Sequence, residues 1–168
     1  MVYDAYKDQV YSIALYYFHG NASVASDVTQ QVFLKLMKDF HNFRGESAFS
    51  TWLYRLVVNT CIDTGRQADA RVVSMEPHMS EMVATPGSQE DDAAQNQMAK
   101  SVQSAVSALP PAFRAAILLR YFEDLSYEEM ARILNCSIGT VASRLSRGHR
   151  LLAEKLSNLN SRLGGKER

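Results

Sequence analysis

The stretch Leu125–Leu152, LSYEEMARILNCSIGTVASRLSRGHRLL, decides how this chain is read. Ser126 stands just ahead of a short amphipathic segment and Glu129 follows three residues later. That is a capping box, in which the hydroxyl and the carboxylate satisfy two amides left open at a helix start. Met130, Ile133 and Leu134 supply one apolar face, and Asn135-Cys136-Ser137 interrupts the pattern. Ser137 can cap a second helix through its hydroxyl. In that helix Ile138, Val141, Leu145, Leu152, Leu156 and Leu159 recur at helical spacing, the signature of a buried stripe. Thr140, Ser143, Arg144 and Arg147 fall on the opposite face, with Arg150 nearby. Short hydroxyls and guanidiniums on an exposed helix suit base edges and phosphates in a DNA major groove. Helix, tight turn and such a helix make a helix-turn-helix arrangement.

The same pattern is open to a plainer reading, a helical hairpin with a solvated basic face. Charge distribution favours the first. Lys and Arg total 18, as do Asp and Glu, so the whole chain is neutral. From Lys100 onward, however, eleven Lys and Arg face six Asp and Glu. A basic final third inside a neutral chain suggests a local surface for a polyanion, with protein contacts elsewhere.

With 168 residues, the chain can form one ordinary domain or two small ones. Its 46% hydrophobic and 21% charged content is that of a globular protein, and no apolar run approaches membrane-spanning length. The start, with Tyr3, Asp4, Tyr6 and Lys7, does not read as a secretory signal. Cys61 and Cys136, far apart and each on or beside an apolar helix face, read as two thiols rather than a disulfide or metal pair. A reducing cytoplasm fits.

Val2–Phe18 carries Val10, Ile13, Ala14, Tyr17 and Phe18 at helical spacing, and Gly20-Asn21 ends it. Ala22–Phe40 is a second helix whose inner face takes Val24, Val28, Val32 or Phe33, Leu36 and Met37 or Phe40. Its polar face, Asp27, Gln30, Gln31, Lys35 and Lys38, suits either solvent or a docked protein. His41–Ala48 is a loop broken by Gly45, with Ser47 or Ser50 as the next cap. Phe49–Gly65 is a third helix burying Phe49, Trp52, Leu53, Leu56, Val57, Thr60 and Cys61, with Tyr54, Arg55, Asn59, Asp63 and Arg66 left outside or in polar contacts. Its aromatics serve the core, yet aromatics beside arginine and a glycine loop also stack on unpaired bases.

Residues 67–91 form a flexible acidic linker in this reading, since no Lys or Arg occurs between Arg71 and Lys100 while Glu76, Glu81, Glu90, Asp91 and Asp92 accumulate. The expectation is therefore an all-α chain of two small helical domains, 1–66 and 92–168, ending in the helix-turn-helix. In the second, Met98, Val102, Ala105, Val106 and Leu109 form one stripe, and Phe113, Ile117, Leu118 and Tyr121 another, with Pro111 opening the helix between. The chain has no glycine-rich phosphate loop, no paired CxxC and no nucleophile elbow, and its histidines are scattered. No enzymatic activity, cofactor or metal is expected.

At this point the residues resemble the extracytoplasmic-function sigma factors, over nearly the whole chain. Asp27-Val28-Thr29-Gln30-Gln31-Val32-Phe33-Leu34-Lys35 is similar to that family's DxxQExFLK pattern. The run from Phe43 to Arg55, FRGESAFSTWLYR, is similar to its FRGxSxFxTWLYR pattern, and Asn59 with Asp63 fits the following NxxxD. Leu109-Pro110, Leu118-Leu119-Arg120, Leu125-Ser126-Tyr127-Glu128-Glu129 and Gly139-Thr140-Val141 resemble its fourth region.

The resemblance implies an alternative sigma factor that binds core RNA polymerase through the β′ clamp helices and the β flap, and directs promoter-specific initiation. Asp27, Gln30, Gln31, Phe33 and Lys35 would meet the polymerase. Asn42, Phe43, Arg44, Gly45, Ser47 and Phe49, with Trp52, Tyr54, Arg55, Asn59 and Arg66, would hold the opened −10 strand. Ser126, Thr140, Ala142, Ser143, Arg144, Ser146, Arg147 and Arg150 would read −35 duplex. Such proteins are often held by an anti-sigma factor, and in them an acidic linker threads the polymerase RNA channel. This chain has Ala142 where the family commonly places Lys or Arg, and Gln31 where glutamate is usual. A different reading of the residues is a free-standing helix-turn-helix regulator. The segment Phe43–Arg55 discriminates, because a regulator has no use for it.

Overall fold

A computed structural model describes the backbone of residues 2–74 and 90–164 and the side chains of residues 2–70 and 96–158. Among the described residues every regular element is helical: α1 (Val2–Tyr17), α2 (Ala22–Asp39), a 3-10 turn (Phe40–Asn42), α3 (Phe49–Ser74), α4 (Glu90–Ser107), α5 (Pro111–Glu123), α6 (Tyr127–Leu134) and α7 (Ile138–Gly164). None is long and apolar enough to cross a membrane.

Local chemistry sets the ends. Asn21 caps α2, its side-chain oxygen accepting from the Val24 amide at 3.1 Å. Pro110 and Pro111 start α5, whose first position needs no amide donor. Ala48, not Ser47 or Ser50, precedes α3, and its carbonyl accepts from Trp52 N–H. Past Gly65, α3 continues to Ser74. An interior glycine costs only about 1 kcal/mol, and Gln67, Ala68, Asp69 and Ala70 favour or tolerate helix on an exposed face. Residues 67–74 and 90–91 of the expected linker are thus helical, and 75–89 lie outside the described residues.

Val10, Ile13, Ala14 and Tyr17 of α1 meet Val28, Val32 and Leu36 of α2 and Leu53, Val57 and Cys61 of α3 in one core. The same core runs on through Val106, Leu109, Ala116, Ile117, Leu119, Met130, Ile133, Val141 and Leu145 of the second half. Each fully buried aliphatic side chain contributes about 1.5–3 kcal/mol. α7 lies against α5 at Gly148, where a Cβ would stand 3.0 Å from Ile117 Cγ1.

Several expected core positions are solvent-facing instead. Met37 on α2, Phe40 in the following 3-10 turn, Met98 on α4, Tyr121 on α5 and Ile138 at the start of α7 are exposed. Each sits at an edge of its stripe or within the first or last turn, where neighbouring helices no longer cover it. Tyr54, expected outside or in polar contacts, is buried with its hydroxyl on the Glu123 carboxylate. The reason is that the two halves pack on each other: α1 lies against α4 and α5, and α3 against α6.

Candidate nucleic-acid interface

The helix-turn-helix is built as its residues demand. Ser126 Oγ accepts from Glu129 N–H at 3.2 Å while the Glu129 carboxylate accepts from Ser126 N–H at 2.8 Å. The Ser126 N–H and the Ser126 hydroxyl, which donates to the same carboxylate at 2.9 Å, hold the Glu129 carboxyl below the usual carboxylate range. α6 ends with Asn135 in the left-handed region at φ 49°, a conformation Asn tolerates. Ser137 Oγ then accepts from Thr140 N–H at 3.1 Å and starts α7.

Val141 and Leu145 anchor α7 inward, leaving Ser143, Ser146, Arg147 and Arg150 exposed along one outward stripe. Thr140 and Ala142 flank it, half-buried. The Ser143 hydroxyl donates to the Thr140 carbonyl at 3.0 Å, and the Thr140 hydroxyl is bonded to that of Ser137. Arg144 is half-buried, its guanidinium 3.7 Å from Cys136 Sγ, so it turns off the stripe. Ser126 serves the cap at the far end of α6.

Four aromatic rings gather where α3 begins. Phe43, Phe49 and Trp52 pair mutually with centroids 5.3–5.9 Å apart, and Phe40 adds its ring at 6.5 Å from Trp52. The loop above them exposes Asn42 and Arg44 and half-buries Ser47, and turns at Gly45 with φ 69°, where a side chain would be strained. Trp52 and Phe49 are only partly buried, so the ring cluster is core beneath and accessible above.

On α2, Asp27, Gln30 and Gln31 share an exposed face. Phe33 turns inward, 7% exposed, under the Tyr3 ring. Lys35 also leaves the outer face, its Nζ donating to Thr60 Oγ1 at 3.1 Å.

The remaining −10 candidates lie where the halves meet. Tyr54 donates its hydroxyl to the Glu123 carboxylate, and burial together with this bond pushes the phenol well above its ordinary range. Burial also raises the Glu123 carboxyl, although the Tyr54 bond opposes it. Arg55 donates to the Arg132 carbonyl at 2.6 Å. Arg114 of α5 donates to the carbonyls of Leu109 and Tyr17 and lies 4.4 Å from the Tyr17 ring centre. Asn59 and Arg66 face a cleft whose opposite wall holds Arg144.

Comparison with known proteins decides what this arrangement is. The sigma-70 region 2 family matches residues 2–71, and the sigma-70 region 4 family matches residues 99–152. The ECF RNA polymerase sigma factor SigW of Bacillus subtilis is 33% identical, over 94% of this chain and 88% of its own. The chain belongs to the ECF RNA polymerase sigma factors. The sigma-E factor of Haemophilus influenzae is 36% identical over 79% of this chain and 75% of its own. The fold is shared with the sigma factor RpoE of Bartonella quintana, solved in complex with the anti-sigma factor NepR, at TM-score 0.70 and 23% identity over 92% of this chain and 94% of that one. It is shared also with CnrH, solved with the cytosolic domain of CnrY, at TM-score 0.67 and 20% identity over 94% and 86% of the two chains.

In this sigma factor the region 2 match covers α1, α2 and most of α3, and the region 4 match closes within α7. Sequence reasoning missed Leu34 and Met37, which are 56% and 75% exposed beside Gln30 and Gln31. The run Val32-Phe33-Leu34 was a signal, because three consecutive residues span about 200° of a helix and the third turns away from the face that buries the first two. It also missed Glu123, Arg114 and Arg132, each of which makes a bond to the other half that no local pattern marks.

Proposed function

We propose that this ECF sigma factor binds core RNA polymerase, recognises −35 and −10 promoter elements and assists strand opening in the cytoplasm. One observation carries the reading: a partly open Phe43–Phe49–Trp52 ring cluster, under a loop exposing Asn42 and Arg44, shares a chain with a helix-turn-helix bearing Arg147 and Arg150. Stacking on such rings stabilises an unpaired base by about 1–3 kcal/mol, which offsets the few kcal/mol of unstacking. A free-standing regulator has duplex to read and no strand to hold. Asp27, Gln30 and Gln31, with Leu34 and Met37, form a mixed polar and apolar face suited to a polymerase helix pair. The acidic linker in the RNA channel belongs to the same reading. So does an anti-sigma factor, of the kind found in complex with RpoE.

The closed packing has a mechanical consequence. Elements centred at −35 and −10 lie about 25 base pairs apart, roughly 85 Å at 3.4 Å per pair. Arg55 and Arg66 share one cleft with Arg144, so region 2 and region 4 separate before both engage a promoter. The test is reconstitution: the chain mixed with core polymerase and genomic promoter fragments. Transcripts with defined starts are expected. Duplex binding without polymerase association or transcripts would leave the regulator reading standing.

A further inference from the structure

The closed arrangement encloses a cleft of about 720 Å³ between α3, α5 and the helix-turn-helix. Arg55, Arg66, Arg114 and Arg144 line it, and Asp69 is the one carboxylate among its lining residues. Their hydrogen-bonding capacity is unevenly spent. Arg114 gives its donors to Leu109 and Tyr17 carbonyls. Arg55 gives one to Arg132 and Arg144 points one at a thiol. Arg66 makes no hydrogen bond or ion pair among the described residues. A guanidinium carries five N–H groups, so all four retain free donors as well as charge, Arg114 the fewest. Asn59 and Asn135 add amide donors to the same walls.

Concave sites lined by one sign of charge focus the field and concentrate counter-ions. Guanidiniums bind phosphate oxygens in pairs of parallel bonds. The volume falls in the range of small-ligand pockets. One turn of helix, about 10 Å across and 5.4 Å high, takes up roughly six-tenths of it, so the cleft holds fewer than two turns of an acidic helix, whereas a short polyanion fits whole.

We propose that the interdomain cleft is a binding site for a polyphosphate anion, held by Arg55, Arg66 and Arg144 with Arg114 behind them, and that its occupancy keeps the sigma factor closed. Resting on the function proposed above, the second half follows from shared residues. Arg55, Arg66 and Arg144 are promoter contacts when the halves part and anion ligands when they meet. A ligand that binds only the closed form lowers the open population about 100-fold at a concentration 100 times its dissociation constant.

The test uses the full chain alone, without polymerase or DNA, so it fails or succeeds separately from the sigma-factor reading. Inorganic tripolyphosphate and ATP are titrated by calorimetry at physiological salt. Saturable one-to-one binding of both is expected, because the phosphate chain is the shared determinant. Arg66→Ala and Arg144→Ala should each weaken it by about 10-fold or more, the loss of a charge-assisted hydrogen bond. Lys100→Ala, which removes an equal charge from exposed α4 outside the cleft, should leave it unchanged. Circular dichroism verifies that each variant is folded. No saturable binding, binding of ATP without tripolyphosphate, equal loss in all three variants, or equal affinity for polyglutamate would each overturn the assignment.

Discussion

The Tyr54 hydroxyl donates to the Glu123 carboxylate, tying the second turn of α3 to the last residue of α5 across the junction of the two halves. The other carboxylate oxygen, Oε1, is buried and has no hydrogen-bond partner among the described residues. The bond therefore supplies what little satisfaction this acid has, and it engages a side chain proposed to serve the −10 strand. Tyr54→Phe should loosen the closed form. Leaving a buried acceptor without its donor costs about 1–3 kcal/mol. An increased radius of gyration in solution scattering would register the loosening, and an unchanged radius with unchanged stability would refute it.

The same acid gives the closed form a pH dependence. Burial raises the Glu123 carboxyl above its ordinary 4.5. The packed state then binds more protons than the separated or unfolded one, so its stability is fullest at and below the ordinary carboxylate range. That stability falls as pH rises through the raised value. Tyr54, itself shifted upward, stays protonated throughout and does not compete. Scattering across this window should show expansion with rising pH. Glu123→Gln should flatten the curve.

The capping box titrates in the opposite sense. Bonds from Ser126 depress the Glu129 carboxyl, so its contribution is present above the ordinary 4.5 and is lost as pH falls through the depressed value. Ser126→Ala should cost about 1 kcal/mol and move acid unfolding to higher pH. Urea unfolding at neutral and acid pH measures both effects.

Arg147 and Leu145 separate reading from folding. Leu145 is 2% exposed against the region 4 core, and Leu145→Ala should destabilise by about 2–5 kcal/mol. Exposed Arg147→Ala should leave stability within about 0.5 kcal/mol. It should weaken −35 duplex binding and reduce the salt slope by about one. An unchanged slope and affinity would remove Arg147 from the phosphate contacts.

Replacing Asn42, Arg44 and Ser47 together should spare polymerase binding and impair strand opening. None of the three contributes to the buried core, and all stand in the loop over the ring cluster. Permanganate reactivity of promoter thymines reports the opening. Wild-type reactivity in the triple variant would take the loop out of the melting step.

Most of the secondary structure was legible along the chain because its determinants are local. Asn21, Pro111, Ser126 with Glu129, and Ser137 act within one helical turn, so their spacing is their mechanism. The inward stripes of α1 and α3 were legible for the same reason. What misled was context. Met37, Phe40, Met98 and Ile138 are apolar residues that their helices leave uncovered. Tyr54 is buried by a neighbour that no periodicity announces.

By itself, then, the order of amino acids determined an all-helical chain, its capped helix-turn-helix, its aromatic loop and the family that these patterns mark. All rest on interactions between residues a few positions apart. Only the tertiary structure decided that Tyr54 meets Glu123, that Arg55 meets the Arg132 carbonyl 77 positions away, and that arginines from both halves converge on one cleft. Those pairings depend on how the two halves pack into one continuous core, and that packing is set by the shape and charge of whole faces.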